Sequence, residues 1–293
     1  MKPAPFEYVR AASVEDACAQ LAADQGARLI AGGQTLVPLM AMRLARPTRL
    51  IDIARIPELS FIREENAAVV VGAATRQCTV EADALVKSRL PLLAKAMPYV
   101  GHAATRSRGT IGGSLANADP AAEIALVAVT LDAALIYQDG AARHEIPAAK
   151  FFLGPMVTAL PSTACLVAVR FPVWIEARLG VGFDEINARR SDFAFASAAA
   201  QIALDEDGVC KRLVIGIGAA TAFPLRLDTV AAALVGKRIE EGIVRAAVEE
   251  AVAGIDAMSD LQASAHYRRR AAVTLAVRAI LAANHTALGR HAH

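Results

Sequence analysis

The chain has 293 residues, 55% of them hydrophobic and 20% charged, with a formal net charge of +2. That is enough apolar sequence for a sizeable core in one large or two modest domains, and it excludes a disordered chain. Acids and bases are interspersed throughout, which argues against a nucleic-acid or anionic-membrane surface; the one basic run, Arg268-Arg269-Arg270, falls in a helical pattern and reads as a solvated helix face.

A strand over 6–9 is followed by a helix that Ser13 opens as N-cap and Gly26 closes. A short apolar strand over 28–31 is broken by Gly32-Gly33, after which 36–44 reads as helix. Strands at 49–53 and 68–73, a helix over 92–100, a glycine turn at 109–113 and an apolar helix over 121–131 come next, then strands at 133–137 and 165–171. Pro172 and the stretch 174–180 mark a boundary. Beyond it, strands at 181–186, 196–204 and 213–219 follow one another without helices, and Asp205-Glu206-Asp207-Gly208 is a hairpin turn between the last two. From Thr229 the sequence is helical, with amphipathic segments at 239–253 and 266–283. This order predicts an α/β first domain and an α+β second domain with an antiparallel sheet.

No apolar leader follows Met1-Lys2-Pro3, and Glu123 and Asp132 interrupt the greasiest stretch, so a soluble, cytoplasmic chain without a bilayer span is expected. Cys18, Cys78, Cys165 and Cys210 stand singly, without the local ligand pairs that zinc and iron–sulfur sites use. The expectation is buried structural thiols and no metal on this chain. His102 reads as a helix-end residue and His291 and His293 as tail; no catalytic acid–base pair stands out.

Two segments carry chemistry: Ala31-Gly32-Gly33-Gln34-Thr35 and Thr110-Ile111-Gly112-Gly113-Ser114. Each lies between extended and helix-like sequence. Paired glycines let backbone approach a ligand and turn consecutive N–H groups into one concavity, which suits phosphate. Two such nests on one diphosphate suit a dinucleotide, although either alone reads more often as a tight turn. The Gly-x-Gly-x-x-Gly and Gly-x-x-x-x-Gly-Lys-Ser/Thr fingerprints are missing, which disfavours the two commonest nucleotide folds.

The runs Ala-Gly-Gly-Gln-Thr-Leu-Val-Pro-Leu-Met at 31–40, Arg106-x-x-Gly109-Thr-Ile-Gly-Gly-Ser-Leu-Ala and Ala118-Asp119-Pro120-x-x-Glu123 resemble the FAD-binding medium subunits of the xanthine dehydrogenase and carbon monoxide dehydrogenase superfamily. Asp192-Phe193-Ala194 and the helix with Tyr267-Arg268-Arg269 resemble that family's C-terminal domain. The resemblance spans nearly the whole chain. It implies an α+β fold: a two-subdomain FAD-binding domain of the vanillyl-alcohol-oxidase/MurB (PCMH) type over 1–175, then a small medium-subunit domain over 178–287. It assigns Ile30, Ala31, Gly32, Gly33, Gln34, Thr35 and Leu36 to a first pyrophosphate loop, and Thr110, Gly112, Gly113 and Ser114 to a second. Glu123 falls near the ribose, Val100 near the adenine and Leu166 near the flavin, and Phe193 matches a side chain that covers the isoalloxazine. From the residues alone, Glu123 could equally be an acid at a helix N-terminus, and Val100, Leu166 and Phe193 plain core.

The resemblance further implies an electron relay. Hydroxylation would take place on a large molybdopterin subunit, and electrons would reach FAD here from a small [2Fe-2S] subunit in a dimer of heterotrimers. FAD is expected to be non-covalent, since neither glycine turn contains the His or Cys that covalent flavins need. Asp184 stands where several relatives have a lysine near the flavin, and Thr105 and Ser107 replace Ile and Asn, so flavin tuning and local packing depart from the pattern. A self-sufficient flavoprotein oxidase or reductase and a flavin-free assembly subunit are the competing readings; substrate-dependent flavin reduction and flavin absorbance discriminate them.

Overall fold

In the computed structural model, which describes residues 2–189 and 191–289, the chain forms three β-sheets, a small hairpin and a helical C-terminal layer. Strands β1 (Glu7–Arg10), β2 (Arg28–Ile30) and β3 (Arg49–Asp52) pair in parallel in the order β1-β3-β2. The helix Val14–Ala23 connects the first two. Ser13 caps it as expected, its Oγ accepting the Asp16 amide at 3.1 Å, and Val14, Ala17, Cys18 and Leu21 form its buried stripe.

An antiparallel sheet follows, made of β4 (Ile62–Glu65), β5 (Ala68–Gly72), β6 (Ala134–Asp139), β7 (Ala142–Pro147) and, after a β8 (Phe152–Gly154)–β9 (Val157–Thr158) hairpin, β10 (Ala164–Pro172). Its order is β4-β5-β10-β6-β7. Every position of β5 is buried because both faces are covered. Val70 turns towards Ile51 and the first sheet, whereas Val69 and Val71 turn towards the helices Pro91–Ala96 and Glu123–Thr130. The two-residue strand period thus divides one run of valines between two cores.

The third sheet, β11 (Leu179–Ile186), β12 (Ala196–Leu204), β13 (Cys210–Gly218) and β14 (Leu225–Arg226), is antiparallel in chain order, as its unbroken strand pattern predicts. Alanine-rich β12 is buried throughout: Ala198 and Ala200 share a core with the long helix Ala265–Ala287, while Ala199 shares the core of Glu123–Thr130. Small residues set this spacing. A Cβ added at Gly180 would lie 1.9 Å from the Ala283 carbonyl oxygen, and one at Gly182 would lie 2.0 Å from that of Ala279. On the other face, Gly216 receives Thr130, whose Oγ1 would stand 2.2 Å from an added Cβ.

Several expectations need correcting. Arg268 is not a solvated helix residue: it is 3% exposed, and its Nη1 donates to the carbonyls of Phe195 and Ala219 at 2.6 and 2.9 Å. Those carbonyls lie outside strand ladders, so the guanidinium supplies the donors they lack, and Asp260 accepts from its Nη2 at 2.6 Å. The helix expected over 36–44 ends at Ala41, and Arg43 takes a positive φ of 61°. That expected over 92–100 ends at Ala96 in a 3₁₀ turn, Met97–Tyr99. Gly112 and Gly113 lie inside a helix, Ile111–Asn117, not in a turn. The helices Gln77–Ala82 and Ala84–Arg89 and the outer strands β4 and β7 were not anticipated, being short and half-polar. His291 and His293 lie outside the described residues. Among those residues no helix is long and apolar enough to cross a membrane.

Gly182→Val should force the C-terminal helix off β11. A destabilisation of about 2 kcal/mol or more is expected, from overpacking backbone against backbone, seen as a lower midpoint in denaturant or thermal unfolding.

Candidate cofactor site

The first glycine loop leaves β2 and is pressed onto the segment that precedes the second. A Cβ on Gly32 would lie 2.4 Å from the Arg108 carbonyl oxygen and 2.8 Å from the Gly109 Cα. Only a residue without a side chain permits that approach. Gly33 follows with φ +70°, a left-handed conformation. As a result, among the described residues none of the amides of Gly32, Gly33, Gln34, Thr35 or Leu36 donates to a protein acceptor, and the Thr35 hydroxyl makes no capping bond. Five consecutive unspent donors around a left-handed glycine form an anion nest.

The second loop is built differently. The Ile111 and Gly112 amides donate to Thr75 and Ala73 carbonyls at 3.1 and 2.8 Å, Gly113 donates to Thr110 Oγ1 at 3.0 Å, and Ser114 donates to the Thr110 carbonyl at 3.1 Å. The expectation of a second nest of free amides is therefore corrected: these donors are consumed by the fold. Gly112 serves close packing, since an added Cβ would lie 2.4 Å from the Cβ of Ala73. What this side presents to a ligand is the exposed backbone at Gly113 and the half-buried Ser114, whose hydroxyl has no hydrogen bond among the described residues.

Both loops open into one cavity of about 650 Å³. All fifteen residues singled out from the sequence line it: Ile30 to Leu36, Val100, Thr110, Gly112, Gly113, Ser114, Glu123, Leu166 and Phe193. Val100 and Leu166, 7% and 5% exposed, are core residues that also form cavity wall. Phe193 does not belong to a strand or to the core: it lies in the loop between β11 and β12 and is 69% exposed. Asp184 is not part of the lining; it faces Arg278 at 3.7 Å. His102 and Thr105 do line it, and so do Asn117, Asp119 and Asp192, which were not nominated as ligands. Asp119 and Asp192 stand inside motifs already quoted, so adjacency to the nominated residues was the available signal. Arg106, from the same motif, holds the wall in place. It forks onto Glu81 at 2.7 and 3.0 Å and donates to the carbonyls of Val100 and Gly101 at 3.1 and 2.9 Å.

The cavity has an acidic flank. Burial pushes the Glu123 carboxyl up to about 7, with Asp119 adding to the rise. Glu185, on β11 beside it, is pushed up to about 8, first by burial and then by Glu123 and Asp184. One oxygen of Glu185 accepts from Asn187 Nδ2 at 2.9 Å, and the other is buried without a partner.

A cavity of this size suits a small-molecule cofactor. The open amides, the free Thr35 and Ser114 hydroxyls and the apolar walls at Val100 and Leu166 fit a dinucleotide with one end sheltered. Residues 4–174 match the family model for the FAD binding domain in molybdopterin dehydrogenase, and 182–283 match that for the CO dehydrogenase flavoprotein C-terminal domain. The chain belongs to this family. It is an FAD-binding medium subunit of the molybdenum hydroxylase type, an oxidoreductase component. Among similar curated proteins, the 6-hydroxypseudooxynicotine dehydrogenase complex subunit alpha of Paenarthrobacter nicotinovorans is 36% identical, covering 98% of this chain and 97% of that protein. The carbon monoxide dehydrogenase medium chain of Hydrogenophaga pseudoflava is 35% identical, covering 97% and 98%. The solved carbon monoxide dehydrogenase from Hydrogenophaga pseudoflava superposes with a TM-score of 0.93 at 34% identity over all of both chains. Quinoline 2-oxidoreductase from Pseudomonas putida 86 gives 0.92 at 35% identity over 99% of each.

Two outcomes follow from this geometry. Gly33→Val and Gly113→Val should each abolish FAD retention, read as loss of flavin absorbance in folded protein; full occupancy in either would remove that loop from the site. The pH response of the FAD-free protein follows from the raised carboxyls. A folded value above the usual 4.5 means that the folded state holds the proton more tightly. The associated stability is complete below about pH 4.5 and is lost as pH rises through 7 to 8. Glu185→Gln should therefore be more stable than the parent at pH 8.5 by about 1–2 kcal/mol, with partial solvent exposure limiting the gain, and indistinguishable near pH 5.

Proposed function

We propose that this chain is the electron-relay subunit of a molybdenum-containing hydroxylase or dehydrogenase. It would receive electrons from a small [2Fe-2S] subunit and deliver them to an external acceptor, while a large molybdopterin subunit hydroxylates the substrate. The observation that carries this reading is the single cavity into which both glycine loops, the acidic flank and the C-terminal loop open together. FAD, when bound, supplies the capacity to accept and release electrons. The protein's part is to bind, orient and shield it.

In this reading the amides of Gly32 to Leu36 and the hydroxyls of Thr35 and Ser114 hold the diphosphate. A preformed nest needs no reorganisation on binding, which favours tight retention. Glu123 accepts from ribose hydroxyls. The C-terminal domain closes the open end, with Phe193 placed to cover the ring. No residue of the lining is asked to act as a nucleophile, because the substrate chemistry lies on another polypeptide. The names of the relatives, which include a complex subunit and several medium chains, support a multi-subunit setting. The domain division at 1–175 and 178–287 and a dimer of heterotrimers belong to the same proposal.

Acid precipitation of the purified protein should release yellow FAD into the supernatant, because the retention proposed is entirely non-covalent. Colour that stays with the pellet would contradict this. The isolated chain should show no flavin bleaching with candidate hydroxylase substrates, and bleaching would favour a self-sufficient oxidase instead.

A further inference from the structure

A second depression, of about 570 Å³, borders the same ribbon from Ile30 to Gln34, and Arg55, Arg76 and Arg108 stand along its rim with Tyr8, Val37 and Pro38. These guanidinium groups have no carboxylate partner among the described residues. Arg76 donates to the Arg108 carbonyl. The nearby Arg43 and Arg46 likewise reach only carbonyls, those of Lys2 at 3.3 Å and Arg43 at 3.1 Å. Elsewhere many arginines are paired, as Arg89 is with Glu64 and Arg170 with Glu145. The acids of this face are already engaged: Glu7 holds Arg49 at 2.7 Å, and Asp52 accepts from the Tyr8 hydroxyl at 2.5 Å and the Ala54 amide at 2.8 Å.

The same face is unusually apolar. Of the thirteen large apolar side chains that are exposed among the described residues, five lie here: Phe6, Tyr8, Val37, Met42 and Leu44, the last 73% exposed. The Arg43–Lys2 bond ties the N-terminal segment to the turn that carries Met42 and Leu44. Exposed Phe, Tyr and Met side chains among arginines without carboxylate partners, three of which outnumber the one carboxylate, Asp52, in the depression, have the composition of an interface centre, not of a solvated surface.

We propose that this face docks an acidic surface of another subunit of the same complex. The inference rests on the reading of the chain as one subunit of a multi-subunit enzyme, and it adds the location and the partner's charge. The surplus positive charge selects an acidic partner, and the fixed Tyr8 ring and the Leu44 side chain supply the desolvated centre. Because the depression shares Ile30 to Gln34 with the cofactor cavity, the docked partner lies against the loop that holds the diphosphate.

The test compares hydroxyl-radical oxidation of side chains in the FAD-loaded isolated chain and in the complex purified from its source. Tyr8, Met42 and Leu44 should be oxidised in the isolated chain and protected about fivefold or more in the complex, as expected for a buried interface centre. Arg55→Glu and Leu44→Asp, neither of which lines the cofactor cavity, should each weaken assembly about tenfold or more, with the loss for Arg55→Glu shrinking at high salt. Both variants should keep FAD, so flavin absorbance separates a failure of docking from a failure of the cofactor reading. Equal oxidation in the two samples overturns the proposal. So does a self-dimer of the isolated chain that Leu44→Asp dissolves, or binding to phosphatidylglycerol vesicles that Arg55→Glu abolishes. Unimpaired assembly of both variants overturns it as well.

Discussion

The backbone of Gly32 lies directly on the backbone of Arg108 and Gly109, and the cofactor site depends on that contact. With a Cβ in between, the first loop could not reach the second, and the cavity would lose one of its two walls. The contact has a second consequence. Chain pressed this closely, followed by a left-handed Gly33, is left without partners for its own amides. Packing and the open amides are thus one feature: the geometry that brings the loops together also leaves these donors without protein acceptors, as an anion nest requires.

The two glycine loops are not equivalent. The first leaves its amides unspent and open to a ligand. The second spends nearly everything on the protein, anchoring Ile111 and Gly112 to the segment just after β5 and capping its own helix through Thr110. The cradle is therefore asymmetric, with open amides on one side and a floor of spent amides on the other. Arg106 extends the floor by pinning the carbonyls of Val100 and Gly101 while Glu81 holds its own guanidinium. Rigid support of this kind keeps a bound dinucleotide in one orientation.

Close approach by small residues recurs across the molecule. Gly180 and Gly182 seat the C-terminal helix on β11, Gly216 admits Thr130, and the alanines of β12 let two cores share one strand. The helix Glu123–Thr130 is buried along nearly its whole length because it is held between sheets of both domains. That position explains the high proton affinity of Glu123 at its first residue, and Glu185 across the boundary shares it. The raised carboxyls thus come from both β11 and the start of this helix, and burial is the first cause of each.

Local patterns determined much of this protein without reference to tertiary contacts. Strand and helix periodicity placed most elements within a few residues, Ser13 announced its helix, and the unbroken strands after residue 180 announced an antiparallel sheet. The two glycine motifs marked the segments that line the cavity, because the demand for a missing side chain is written in residue type. Tertiary structure alone decided how those glycines are used. Whether an amide faces a ligand or a carbonyl depends on which distant backbone arrives beside it, so Gly112 and Gly32 look alike in sequence and both permit close packing, yet only Gly32 keeps its amide unspent. Burial of Arg268 on carbonyls just before β12 and just after β13 and the raised carboxyls of Glu123 and Glu185 follow the same rule. Each arises from contacts between residues far apart in the chain, which composition and spacing do not encode.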